Sequence, residues 1–508
     1  MLFPISRKFP QLSVVLLATM LVLPVVAAPD TQTTSSTNIS GQSQNNFATD
    51  LKLAQQGDAF AQNNVGVRYL NGLEGVKQDY AQAKFWLEKA AAQGLVEAQN
   101  NLGYMYLQGL GVKQDYAQAK AWFEKAAAQG NATAQNNLGY MYQQGLGIKQ
   151  DYAQAKSWYE KAAAQGDSTA QNNLGYMYRQ GWGVKQDYAQ AKSWYEKAAA
   201  QGDAGAQNNL GYMYDEGLGV KQDYAQAKAW YEKSAAQGDA GAQNNLGYMY
   251  DEGLGVKQDY AQAKSWYEKA AAQGDAGAQN NLGYMYDEGL GVKQDYAQAK
   301  AWYEKSAAQG YAGAQNNLGY MYDEGLGVKQ DYAQAKSWYE KAAAQGHAGA
   351  QNNLGYIYQQ GWGVKQDYAQ AKSWYEKAAA QGYAAAQYNL GTIYAQGLGV
   401  KQDYVKAKSL YEKAAAQGDA GAQNNLGLMY QQGWGVKQDY AQAKAWYEKA
   451  AAQGYTDAQY NLGFMYMQGL GVKQDYAKAK SLFEKAAAQG DADAQDALNF
   501  LRENGLIR

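Results

Sequence analysis

Cysteine is absent from the 508 residues, and histidine occurs once, at His347. The first absence excludes disulfide staples, thiolate metal sites, a cysteine nucleophile and the cysteine that carries a bacterial lipid anchor. The second rules out a multi-histidine metal site within one chain and leaves almost no material for a histidine-based triad. Proline is confined to Pro4, Pro10, Pro24 and Pro29. A surplus of one charge is missing too, with 45 Lys+Arg against 47 Asp+Glu. That balance argues against a general nucleic-acid or acidic-membrane binder, which needs a basic excess to neutralise phosphates. What the chain has in quantity is 46 Tyr, 13 Trp and 57 Gly.

The start reads as an export signal. Arg7 and Lys8 precede an apolar run from Leu12 to Leu23, Pro24 breaks it, and Val25 and Ala27 fit the small-residue positions before a cut at Ala28. An uncleaved anchor is the alternative, since Gln11 to Ala28 approaches the length of a spanning helix. No later segment is apolar enough to span a bilayer. Residues 28–45 are almost entirely Ser, Thr, Asn, Gln and Gly, too polar to offset the entropy of ordering, and read as a flexible tether. The expected location is therefore periplasmic or secreted, with no membrane insertion after signal cleavage.

The rest, 46–508, is periodic. The motif AQNN, or AQYN, begins at Ala61, Ala98, Ala134, Ala170, Ala206, Ala242, Ala278, Ala314, Ala350, Ala386, Ala422 and Ala458. The spacing is 37 once, where Glu74 is an extra loop residue, and 36 afterwards. In the copy from Ala242, Asp239 caps a first helix, and Ala242, Leu246, Met249 and Tyr250 form its apolar stripe. Gly253 suits a left-handed helix end, and Gly255 belongs to the turn. Asp259, with Gln262 three residues on, starts a second helix. Its stripe is Tyr260, Ala263, Tyr267, Ala270 and Ala271, flanked by Trp266, and Gly274 ends it. One such hairpin cannot bury both stripes, so neighbours must stack. Residues 49–58 and 494–508 resemble half-units that close the two ends.

The order Leu246-Gly247, Tyr250, Ala263, Tyr267, Ala270 resembles the tetratricopeptide repeat. The longer Gly-Leu-Gly-Val-Lys-Gln-Asp-Tyr connector and the Ala-Ala-Ala-Gln-Gly ending resemble its relative, the Sel-one-like repeat. The likeness covers about 85 % of the chain and departs from the tetratricopeptide pattern in lacking a proline near the repeat end. It implies an all-α fold, a right-handed α-solenoid of twelve 36-residue helix-turn-helix repeats with half-repeat caps, and a concave surface that holds a protein or peptide.

Most recurring residues have structural readings. Gly247 in mid-helix costs about 1 kcal/mol against alanine, which makes sense where another helix approaches closely. Trp266 and Tyr267 read as inter-helix packing, and Asn245 with its equivalents from Asn64 to Asn461 as a buried hydrogen-bonded ladder. His347 reads as an exposed turn residue. Off the apolar stripe lie Asn208, Asn244, Asn280 and Asn316 and a tyrosine row: Tyr104, Tyr140, Tyr176, Tyr212, Tyr248, Tyr284, Tyr320 and Tyr356. Such a row offers rigid, amphipathic contact area suited to binding; packing on adjacent helices is the competing reading. Four units add acidic pairs, Asp215-Glu216, Asp251-Glu252, Asp287-Glu288 and Asp323-Glu324. They sit where the helix dipole disfavours negative charge by about 0.3–1 kcal/mol. Stacked, they predict an acidic strip for a Lys/Arg-rich segment, unless duplication merely copied one accidental pair.

The leading functional expectation is an exported non-enzymatic scaffold without cofactor or metal, binding protein or peptide in its groove. Glycan or peptidoglycan binding through stacked tyrosines is the alternative. A hydrolase is the third. Family members described as β-lactamases pair cysteines that this chain lacks, and no serine stands in a nucleophile-elbow or S-x-x-K setting.

Overall fold

The computed structural model describes residues 47–73 and 75–507. The expected signal (1–27), the polar tether (28–45) and the inserted Glu74 lie outside the described residues. These hold twenty-six helices and no strand, from α1 (Phe47–Gln55) to α26 (Ala492–Glu503). No helix among them is long and apolar enough to cross a membrane. The chain divides into two compact units, one ending at Asp275 and one beginning at Ala276. Within each, every helix packs against the next in sequence, so the protein is an all-α solenoid.

The repeat built from α12 (Ala240–Glu252) and α13 (Tyr260–Ala272) shows why the sequence folds this way. The Asp239 carboxylate accepts the Ala242 N–H at 2.7 Å, satisfying one orphan donor of the first turn. Gly253, at φ 72°, closes α12 with its N–H on the Met249 carbonyl. Asp259 then accepts the N–H groups of Ala261 and Gln262, both at 3.0 Å, and starts α13. Between these helices Ala242, Leu246, Met249, Ala263, Ala270 and the whole Tyr267 side chain are buried, each large side chain stabilising by about 1.5–3 kcal/mol. Trp266 is half-buried against the cluster that Ala227 and Tyr231 of the preceding hairpin form with Leu246 and Met249, with the Lys269 ammonium 3.9 Å from its ring centroid. Gly247 faces Tyr267 so closely that a Cβ there would lie 2.5 Å from the ring, as the mid-helix glycine implied.

The polar letters of AQNN are structural. Gln243 donates to the Ala235 carbonyl at the end of the preceding second helix and accepts from Gln273 at 2.8 Å. The expected asparagine ladder exists but uses both asparagines of the motif. The Asn245 amide donates to the Asn208 Oδ1 at 3.0 Å, and Asn209 donates to Asn172 at 2.9 Å. The rungs recur from Asn101–Asn63 to Asn461–Asn424.

His347 corrects an expectation. It is not an exposed turn residue but a buried helix cap, whose Nδ1 accepts the Ala350 N–H at 3.1 Å. Burial lowers its pKa from 6.5 to about 4. A depressed histidine contributes stability above the unfolded pKa that is lost as pH falls from 6.5 through 4, and protonated Nδ1 no longer caps. His347→Asp, the capping residue of most other repeats, should therefore leave thermal unfolding at pH 7.5 nearly unchanged. At pH 4.5 it should raise the midpoint; an equal shift at both values would contradict the assignment.

Candidate interaction surface

In the eight repeats from Tyr104 to Tyr356 the first helix carries two tyrosines off its buried stripe, as at Tyr248 and Tyr250. In the row that starts at Tyr104, Tyr140, Tyr212, Tyr248, Tyr284, Tyr320 and Tyr356 are half-buried, while Tyr176 is buried. They stand beside fully buried neighbours: Leu246 and Met249 flank Tyr248 at zero exposure. Burial is the main cause that raises the phenol pKa of Tyr248, with Glu252, Asp215 and Asp251 adding to it. Outside Tyr176, these rings are thus partly packed and partly accessible.

The asparagines proposed beside them are less available. Asn208, Asn280 and Asn316 each accept a ladder hydrogen bond through Oδ1, from Asn245, Asn317 and Asn353. Asn208 and Asn316 are buried, and Asn244 and Asn280 are half-buried. Their first role is to join successive hairpins.

The acidic pairs split in two. Glu216, Glu252 and Glu288 are exposed and Glu324 is half-buried, but Asp215, Asp251, Asp287 and Asp323 are buried. A surface strip of eight carboxylates is therefore not what the fold presents. Each aspartate turns inward to the tyrosine of its second helix: Tyr231, Tyr267 and Tyr303 donate to Asp215, Asp251 and Asp287 at 3.2 Å, and Tyr339 to Asp323 at 3.5 Å. Burial raises Asp215, Asp251 and Asp287 from 3.8 to about 6 against the opposing phenol bond, with the adjacent glutamate pushing the same way.

These contacts belong to a rule that runs through every repeat. Where the residue at the aspartate position is apolar (Leu70, Leu107, Met467), its partner on the second helix lacks a hydroxyl: Leu87, Phe123, Phe483. Where the partner is tyrosine, an acceptor is supplied. Gln143, Gln359 and Gln431 accept from Tyr159, Tyr375 and Tyr447 at 2.7 Å. Ala395 cannot, and Thr392 stands in, its hydroxyl 3.1 Å from that of Tyr411.

The rule fails once, at Arg179. Arginine has no acceptor, and the Tyr195 hydroxyl is buried without a partner. The Arg179 guanidinium lies over the rings of Tyr176 and Tyr212, 4.8 and 5.0 Å from their centroids, and donates one long bond of 3.4 Å to Asn209. Trp182 meets Tyr176 edge-on at 5.2 Å and stacks on Tyr152 at 5.1 Å. Sequence periodicity gives no sign of it; the mismatch with Tyr195 is the signal that singles Arg179 out.

A model of the Sel1 repeat matches the chain in twelve consecutive segments, from 59–95 to 456–491. The chain belongs to the Sel1 repeat family. Among solved structures it is similar to a protective antigen of uropathogenic Escherichia coli strains that displays an SLR fold. The two are 41 % identical over 90 % of this chain and 97 % of that one, with a TM-score of 0.56. It is also similar to a Sel1 repeat protein from Oxalobacter formigenes, at 36 % identity over 61 % of this chain and 90 % of that one, TM-score 0.45. No curated protein matches it. The Sel1 repeats build a helical-repeat scaffold in which the caps, ladders and buried pairs account for most recurring polar residues. The tyrosine row, the exposed glutamates and Arg179 are what they leave over.

Proposed function

We propose that this Sel1 repeat protein is an exported, non-enzymatic scaffold that binds a protein or peptide segment along the tyrosine row of its first helices. The observation that carries the reading is the half-burial of Tyr104, Tyr140, Tyr212 and Tyr248 beside fully buried neighbours. A ring held by packing on one side has little rotamer entropy left to lose when a partner covers the other. The exposed Glu216 and Glu252 next to Tyr212 and Tyr248 favour Lys or Arg in the part of the segment that lies there, speeding association more than tightening it. Export rests on the amino-terminal pattern of Arg7, the Leu12–Leu23 run and Ala27, and the similarity to a protective antigen supports it.

Affinity capture from envelope and host extracts tests the reading, with the chain lacking residues 1–27 and its Tyr104→Ala/Tyr140→Ala/Tyr212→Ala/Tyr248→Ala variant as paired baits. A protein retained by the first and lost from the folded variant, by at least ~10-fold, is the expected result, since each buried aromatic anchor contributes about 1–2 kcal/mol. Retention of cell-wall sacculi stripped of protein, in place of any protein, would turn the reading to glycan binding. Equal retention by both baits would remove the row from the site.

A further inference from the structure

We propose that Arg179 is the receptor for a carboxylate of the bound segment, held on its N–H edge between Tyr176 and Tyr212. The inference rests on the scaffold reading only for the source of that carboxylate. Arg179 breaks a pairing that every other repeat satisfies, and the break is costly. A buried phenol without an acceptor costs about 1–3 kcal/mol, and Arg179, at 6 % exposure for the whole residue, has given up most of its hydration. Among the described residues no carboxylate lies within ion-pair distance of it, and the one hydrogen bond its guanidinium makes is the 3.4 Å contact to Asn209. Glutamine at this position, as in Gln143, gives its tyrosine a 2.7 Å bond instead. Local rules broken without structural return mark functional positions.

The geometry also sets the chemistry of the ligand. The Tyr176 and Tyr212 rings both hold the guanidinium in cation–π contact, and on this reading an incoming group meets its N–H fork. That fork matches a planar carboxylate with two parallel hydrogen bonds. A dianionic phosphate is disfavoured, because Asp215 and Glu216 act on the same Tyr212 ring and repel a second negative charge. The next two repeats carry the exposed Glu216 and Glu252. The segment that fits has an acid at Arg179 and bases beyond it, which gives it a direction along the solenoid.

The chain has five arginines, Arg7, Arg68, Arg179, Arg502 and Arg508, so labelling with ¹⁵N-arginine gives a handful of side-chain N–H signals, with Arg179→Gln identifying the one in question. The full-length folded chain is titrated with acetate, with inorganic phosphate, and with a Gly/Tyr pentapeptide in three forms: free carboxyl end, amidated end, and amidated end with one internal Glu. Acetate should move the Arg179 signal saturably while Arg502 stays in place, and phosphate should be at least ~3-fold weaker. Response to the free-ended peptide alone assigns a chain terminus, and response to the Glu peptide assigns a side chain. Arg179→Gln should raise the unfolding midpoint, because Tyr195 regains an acceptor. No saturable shift with acetate, an equal shift at Arg502, or a lower unfolding midpoint in Arg179→Gln would each overturn the proposal. Acetate needs no partner protein, so failure here leaves the capture result on the tyrosine row standing by itself.

Discussion

Replacing Asp215, Asp251 and Asp287 together by glutamine should stabilise the folded chain at pH 7.5 and flatten its pH dependence. Each aspartate is buried, and burial has raised its pKa from 3.8 to about 6. The folded state therefore keeps protons between pH 4 and 6 that the unfolded state has released. Stability consequently rises as pH falls through that window, and the full penalty stands above it. A shift of this size corresponds to about 3 kcal/mol at most, and ~1–3 kcal/mol per site is a reasonable expectation. Glutamine suits the position, because Gln143 already reaches Tyr159 at 2.7 Å where the aspartates hold their tyrosines at 3.2 Å. Urea unfolding at pH 7.5 and pH 4 is the check. The gain should be large at the first and nearly vanish at the second. An equal gain at both, or a loss at pH 7.5, would show that these carboxylates are not strained by burial. His347 titrates with the opposite sign in both proteins and cancels in the difference.

The second large effect runs against helix propensity. Gly247→Ala removes the most flexible residue from the middle of a helix, a change worth about 1 kcal/mol in favour of alanine in isolation. Here the new methyl would sit 2.5 Å from Cδ1 and 2.6 Å from Cε1 of Tyr267. That ring is buried on all sides and cannot retreat. Overpacking of this kind costs about 1–3 kcal/mol or more, so the net result should be destabilisation, read as a lower midpoint in urea. The same register in α26 is occupied by Asn499, which is exposed and has no second helix packed over it. Asn499→Ala should change stability by no more than about 0.5 kcal/mol. If Gly247→Ala were neutral, the close approach of the two helices would be wrong by several tenths of an ångström.

Much of this protein was legible from its letters. A 36-residue period, aspartates ahead of each helix and glycines behind it, and alanine, leucine and tyrosine at helical spacing together specify a stack of hairpins. They do so because caps, helix ends and apolar stripes are local properties of a few neighbouring residues. Gly247 was readable for the same reason: a conspicuous local penalty implies a neighbour close by. The tertiary structure decided everything that depends on which neighbour. It turned Asp251 inward to a hydroxyl sixteen residues away while leaving Glu252 in solvent, and it tied Asn208 to Asn245 across two hairpins. It buried His347 as a cap. Above all it set Arg179 opposite Tyr195, a meeting of two donors that neither residue's own sequence surroundings announce. Helical periodicity tells which face a side chain is on, but what that face touches, and so whether a charge is solvated, paired or stranded, is fixed only when the next helix docks against it.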